Sequence, residues 1–231
     1  MTQSSLQQHG FSLKNNVAAT SQLSELLRII EEQPASESSL TRKDATYAVR
    51  HLLRIPAVHA FSSGPIMLPL AQEIIGANAF PVRAMLLDKI VGANWYVGWH
   101  QDLTIAVEAR IDSIGFGPWS MKAGIQHVQP PLEILQNMVA LRFHFDAATN
   151  DNGALNFVPG SHKLGILRRE QIDELKRSPV VTCSAERGSV LLMHPLILHS
   201  SSPSKSPNHR RVLHIEYAAT ELPNGLRWAI A

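Results

Sequence analysis

The segment Asn94-Trp95-Tyr96-Val97-Gly98-Trp99-His100-Gln101-Asp102 holds a His-x-Asp pair. Side chains on an extended chain alternate between faces, so His100 and Asp102 point the same way and can grip one ion together. Imidazole with carboxylate suits Fe(II), and a second histidine from a distant strand would complete a set of two imidazoles and one carboxylate on one face of the ion. Three coordination positions then stay open for a bidentate cosubstrate and O₂. Alone the pair is a weak signal, because the chain has 11 histidines and a surface histidine beside a solvated aspartate is the simpler reading.

A second constellation changes the balance. The stretch Gly188-Ser-Val-Leu-Leu-Met-His-Pro-Leu-Ile-Leu-His-Ser-Ser-Ser-Pro is followed by Asn208-His209-Arg210-Arg211. An apolar strand is expected to deliver His199 into a Ser-rich turn, with Arg210 at the start of the next strand. A dicarboxylate cosubstrate needs a fixed cation at the end away from the metal, and arginine offers bidentate hydrogen bonds that lysine cannot. Ser201 offers a hydroxyl donor to the same carboxylate. His194 also ends an apolar run and competes with His199 for the ligand role. Arg211 competes with Arg210 from the opposite face of one strand. Period does not choose between them, since Val212, His214 and Glu216 lie on one side and Leu213, Ile215 and Tyr217 on the other. The spacing from His199 favours Arg210.

The elements that must hold these residues are mainly strands. Leu23, Leu26, Leu27 and Ile30 recur at helical spacing over 21–32, with Thr20 or Ser21 as N-cap. The polar stretch 33–43 reads as a solvated surface loop. A further helix over 67–75 stops at Gly76. Beyond Pro81 short β-like runs follow at 83–87, 103–107, 139–145, 155–158, 180–183, 189–193, 196–199 and 212–217, separated by turn residues. Many short strands predict a sheet structure closed on itself, which hides its edges. The expected fold is mainly β with flanking helices, a double-stranded β-helix or jelly roll. The 231 residues predict one domain, with a helical N-terminal part at about 1–80 and a jelly-roll core at about 81–220.

Composition narrows the function classes. Hydrophobic residues make up 45% and charged residues 17%, enough apolar matter for a sizeable core. The formal net charge of +2 comes without a block of Lys or Arg, which argues against a nucleic-acid groove and favours a small-molecule partner. The single cysteine, Cys183, excludes an internal disulfide or a multi-cysteine metal site and suits a reducing compartment. It is expected to be a small buried hydrophobe. Residues 1–16 are polar, so neither a signal peptide nor a spanning helix is expected there, and the protein is expected in the cytoplasm, off the membrane.

The chain resembles the phytanoyl-CoA dioxygenase family of Fe(II)/2-oxoglutarate oxygenases from about residue 83 to 217. The pieces that carry the resemblance are Leu-Leu-Asp-Lys at 86–89, Trp-His-Gln-Asp-Leu at 99–103, Asn-Gly-Ala-Leu at 152–155, Val-Pro-Gly-Ser-His at 158–162, and the stretch from His199 to Arg210. The resemblance implies that His100, Asp102 and His199 are the metal ligands, choosing the histidine before the serines over His194. It implies that Arg210 and Ser201 clamp the distal carboxylate of 2-oxoglutarate, with Lys89, Gln101 and Arg142 near the same cosubstrate. The implied reaction is hydroxylation of an unactivated C–H bond of a small organic metabolite, with succinate and CO₂ released. Desaturation, ring formation and halogenation are the alternatives within the chemistry. Halogenation needs an open coordination position where Asp102 stands. A non-catalytic cupin-like metal-binding module would need no clamp.

Several neighbours have two readings. Trp95, Trp99, Trp119 and Gln129 are either walls of a substrate pocket or parts of the core. His144 and Asp146 follow Arg142 at period two, which predicts that they share its face and reach substrate or each other. His162 in Pro-Gly-Ser-His and the pair Asn152-Gly153 read as turn formers.

Overall fold

The structure is a computed structural model that describes residues 2–18, 20–33, 39–42, 45–90, 94–206 and 208–230. In chain order the elements are α1 (Thr2–His9), β1 (Phe11–Lys14), α2 (Thr20–Glu31), β2 (Ser39–Arg42), β3 (Ala45–Val49), α3 (Pro56–Ser62), α4 (Leu68–Ile75), β4 (Phe80–Lys89), β5 (Val97–His100), β6 (Ile105–Val107), β7 (Trp119–Lys122), β8 (Ile125–Val128), α5 (Leu132–Gln136), β9 (Met138–His144), β10 (Leu155–Phe157), α6 (Arg169–Leu175), β11 (Val181–Cys183), β12 (Val190–Met193), β13 (His199–Ser201) and β14 (Arg210–Ala218). A seven-stranded sheet runs β1-β12-β9-β14-β4-β3-β2, a four-stranded sheet β11-β10-β13-β5, and a three-stranded one β6-β8-β7. All strand pairs are antiparallel. The four central strands of the large sheet and the four-stranded sheet form the expected jelly roll.

The large sheet is covered on both sides, which explains why β9 is buried along its whole length. On the outer face Val139, Leu141, Phe143, Leu213, Ile215 and Tyr217 share one cluster with Leu23, Leu26, Leu27 and Ile30 of α2. Those four leucine and isoleucine positions are the predicted helical stripe. The side chains of Thr20 and Ser21, the expected cap, lie outside the described residues. Phe61 of α3 meets Phe143 edge-on at 5.1 Å, and the buried Tyr217 hydroxyl donates to Ser62 O at 2.8 Å. Helix α4 ends as expected at Gly76, whose φ of 100° needs a residue without Cβ.

The N-terminal part is less helical than expected. Strand β1 pairs with β12, and β2 and β3 extend the sheet beyond β4. Within the predicted loop at 33–43, Ser39–Arg42 is a strand; its one apolar residue, Leu40, gave no alternation to read, and an edge strand does not require one. The run 196–199 is not a strand either. Leu196, Ile197 and Leu198 form a buried turn, and the strand consists of His199, Ser200 and Ser201. The serines placed in a turn are therefore strand residues, paired with β10.

Candidate active site

Strands β13 and β5 set His199 opposite His100 in register. Asp102 follows β5 at the next position on the same face, with its backbone N–H donating to Pro195 O at 2.9 Å. One ligand atom from each of His100, Asp102 and His199 lies within 4.8 Å of the others. His100 Nε2 is 3.7 Å from Asp102 Oδ1, and His199 Nε2 is 3.8 Å from Oδ2. Those separations are too long for hydrogen bonds and leave space between the atoms. Each Nδ1 is placed to donate to a backbone carbonyl, Gly98 O at 2.8 Å and Ile197 O at 2.9 Å, which turns both Nε2 lone pairs inward. Burial lowers the pKa of His199 to about 4, so its ring is neutral at neutral pH. Burial alone would raise Asp102, but the facing His199 and His100 rings with His214 and Arg83 outweigh it and hold the carboxyl below the usual carboxylate range. The three donors fit a divalent cation that accepts imidazole and carboxylate.

The cavity beside this set is small, about 120 Å³, and is lined at one end by Lys89, Arg142, Ser201 and Arg210. Its long wall is the inner face of three neighbouring strands. Arg210 lies opposite Lys89, Val212 opposite Leu87 and His144, His214 opposite Met85 and Arg142, and Glu216 opposite Arg83 and Ala140. Arg142 Nη1 donates to His214 Nδ1 at 3.1 Å, and His214 Nε2 is 3.3 Å from Glu216 Oε1, which also ion-pairs with Arg83. Arg210 and Arg142 are 3% and 6% exposed, and each has a buried Nε with no hydrogen-bond partner among the described residues. Burial lowers Arg142 to about 10; burial and then Arg142 lower Arg210 to about 9; burial, Arg210 and Arg142 lower Lys89 to about 7. Arg142 and Arg210 each keep an unpartnered Nε, and with Lys89 they make a desolvated cationic end of the cavity that suits an anionic ligand.

Several expected assignments meet the geometry directly. Arg210 lines the cavity, whereas Arg211 faces outward and binds Asp146 at 2.7 and 2.9 Å and Glu31 at 2.7 Å. His194 sits beside His162 at 5.3 Å between ring centres, and its Nδ1 accepts from Leu196 N, away from the ligand set. Ser201 is at the cavity, but its hydroxyl donates to Gly153 O at 2.7 Å and accepts from Lys89 Nζ at 2.7 Å, so it fixes the lysine. Lys89 also donates to Ser202 O at 2.6 Å and lies 5.3 Å from the centre of the Trp95 ring, which lines the cavity.

Others are not brought there. Gln101 alternates away from His100 and Asp102: its amide donates to Leu196 O at 2.6 Å and Gly165 O at 2.9 Å and accepts from Leu167 N at 2.8 Å. Trp99 alternates likewise and packs on Val158, Leu167 and Leu198. Trp119 packs on the cluster of Val107 and Trp228. Gln129 follows β8, with its backbone bonded to Gly117 and Pro118, and is not a wall of the cavity. His144 is buried on the inner face behind Arg142 and Arg210, which with burial lower it to about 3. Asp146 leaves that face because β9 ends at His144, and it turns out to Arg211. His162 belongs to a short 3₁₀ turn and Asn152-Gly153 to a turn, as expected. Cys183 is buried, and burial raises its thiol to about 11.

The sequence reading did not single out Arg83, His214 or Glu216 as site residues. Their signal was partial: Arg83 and Lys89 share a face of β4 with Met85 and Leu87, and His214 and Glu216 alternate with Leu213, Ile215 and Tyr217 along β14. A polar face inside a double-sided buried sheet marks a lined cavity. A larger cleft of about 720 Å³ opens on the helix side of β4, where Leu86 and Asp88 point, and the described triad residues are not among its walls.

The family description that matches the chain is phytanoyl-CoA dioxygenase (PhyH), across residues 6–212. A methylphosphonate hydroxylase from Gimesia maris is 32% identical over 98 residues, 39% of this chain and 36% of that protein. Matched segments cover 34% to 56% of the curated relatives' own lengths. Among solved structures, EctD from S. alaskensis with 2-oxoglutarate and 5-hydroxyectoine gives a TM-score of 0.72 at 15% identity, covering 94% of this chain and 74% of that one. The non-heme alpha ketoglutarate dependent epimerase SnoN from nogalamycin biosynthesis gives 0.67 at 17% identity, covering 94% and 80%. At these identities the likeness establishes the fold.

Proposed function

The chain belongs to the phytanoyl-CoA dioxygenase family, and from that membership we propose that it is an Fe(II)- and 2-oxoglutarate-dependent oxygenase that hydroxylates a small organic substrate. The observation that carries the reading is one cavity with a His-Asp-His set on one wall and the buried cations Arg210, Arg142 and Lys89 at one end. A metal-binding module without chemistry has no use for buried guanidinium groups that each keep an Nε without a partner among the described residues. His100, Asp102 and His199 hold the metal, and Arg210 takes the distal carboxylate of the cosubstrate. Lys89, fixed by Ser201, adds charge beside it. When bound, Fe(II) and 2-oxoglutarate supply with O₂ the oxidising power for attack on an unactivated C–H bond, leaving succinate and CO₂. The protein's share is to position, to exclude water and to keep His199 neutral.

Asp102 occupies the third ligand position, which favours hydroxylation over halogenation. The same fold serves an epimerase, so the fate of the substrate after C–H attack is decided by how it is held. Among the described residues no helix is long and apolar enough to cross a membrane. We place the protein in a reducing cytoplasm, which its one cysteine suits. The test is anaerobic addition of Fe(II) and 2-oxoglutarate, which should produce the weak visible charge-transfer band of the chelate. Folded, iron-loaded protein that shows no band overturns the reading.

A further inference from the structure

We propose that a second cavity, walled by Arg50, His51, Arg83, Lys122 and His127 beside the metal site, binds an anionic headgroup of the substrate, a phosphonate, phosphate or carboxylate. The assignment rests on the oxygenase reading above and adds the substrate class. The cavity measures about 110 Å³ and shares Arg83 and Met85 with the metal cavity, so a compact group seated in it holds the adjoining carbon toward the metal.

Two observations separate this pocket from the cosubstrate clamp. Arg83 and Lys89 stand at opposite ends of the inner row of β4, six residues and so about 20 Å apart along the strand. A five-carbon dicarboxylate held at the metal reaches one cluster and leaves the other without a ligand. The second observation is the state of the donors. Arg50 Nε, His51 Nε2 and Arg83 Nε are buried with no hydrogen-bond partner among the described residues. Orphaned buried donors cost free energy unless a ligand satisfies them.

The charge of the pocket points the same way. No acidic side chain is among its described walls. Arg83 is balanced by Glu216, but among the described residues neither Arg50 nor Lys122 has a carboxylate within ion-pair distance. Among the described residues Lys122 has one side-chain partner, the Thr104 hydroxyl at 2.9 Å. Beyond burial, repulsion destabilises the charged forms: Arg83 acts on Arg50, Arg83 and Arg50 on Lys122 against smaller opposing pulls from Glu216 and Asp102, and Arg54, Arg50 and Arg83 on His51. His51 is also held at φ 61°, a left-handed conformation that a non-glycine residue adopts at some cost, as residues at binding sites often do.

The experiment titrates methylphosphonate, inorganic phosphate and acetate calorimetrically into the full chain loaded anaerobically with Fe(II) and 2-oxoglutarate. At least one oxyanion is expected to bind with unit stoichiometry, and Arg50→Gln and Lys122→Met each weaken it about tenfold or more, the loss of one charge-assisted hydrogen bond. The 2-oxoglutarate titration should be unchanged in both variants. Preference for methylphosphonate or for acetate identifies the headgroup. No binding of any of the three, or equal binding by the variants, overturns the proposal. Parallel loss of 2-oxoglutarate affinity also overturns it, since this pocket would then be the clamp. Oxyanion binding by protein that forms no 2-oxoglutarate chelate overturns the oxygenase reading and keeps the anion pocket.

Discussion

Replacing Arg210 with methionine separates cosubstrate binding from metal binding and from folding. The guanidinium is 3% exposed, has an unpartnered Nε, and shares its end of the cavity with Arg142 and Lys89. Among the described residues no carboxylate lies within ion-pair distance of it. A hydrogen bond to a charged group contributes about 1.5–3 kcal/mol, and a bidentate pair offers two. Arg210→Met should therefore raise the 2-oxoglutarate dissociation constant by about two to three orders of magnitude, at about 1.4 kcal/mol per factor of ten. Iron affinity should stay within about threefold, because the ligand atoms belong to other strands. The folded state without cosubstrate should lose little, since methionine keeps the apolar stem and removes a desolvated charge. The contrast is Arg211→Met, which loses the contacts to Asp146 and Glu31, should cost about 1–3 kcal/mol of stability, and should leave the cosubstrate alone. The assay is anaerobic titration of the charge-transfer band, paired with urea denaturation. A larger effect on 2-oxoglutarate from Arg211→Met, or equal losses of iron and cosubstrate in Arg210→Met, refutes the assignment.

Asp102→Ala should abolish turnover and weaken Fe(II) by more than the about 10–100-fold typical of losing an outer partner of a ligand; iron titration checks it, and wild-type affinity would remove Asp102 from the metal set. Gln101→Ala should cost about 2–4 kcal/mol in urea denaturation by stranding Leu167 N, Leu196 O and Gly165 O, with 2-oxoglutarate affinity retained; the reverse pattern would return Gln101 to the cosubstrate site. Burial and the two arginines lower Lys89 to about 7 in the folded state, so between about pH 7 and its unfolded value near 10.4 the unfolded chain binds more protons and stability rises with pH. Below pH 7 both states hold the proton and the full penalty remains. Lys89→Met should remove this contribution, so the wild-type stability without cosubstrate should gain on the variant's from pH 7 to 9.5; parallel pH profiles would show that Lys89 titrates normally.

The local signals settled much of this protein before any tertiary contact was known. Alternation put His100 and Asp102 on one face, the stripe of Leu23, Leu26, Leu27 and Ile30 fixed α2, and Gly76 marked the end of α4. These depend on residues close in sequence, whose geometry follows from the period of the element. Choices between neighbours did not. Spacing favoured Arg210 over Arg211 and the family resemblance His199 over His194, but the reason lies in the pairing, with β13 facing β5 and β14 between β4 and β9. The fate of Gln101 and Trp99 likewise depended on which side of β5 meets the core. Strand β2 has one apolar residue, Leu40, because an edge strand needs only a partner's backbone, and the pocket of Arg50, Arg83 and Lys122 joins the residue after β3 with β4 and β7. The metal pair was thus written in a nine-residue segment, whereas the cations around it gained meaning only when pairing stacked β4, β9 and β14 and buried their charges together.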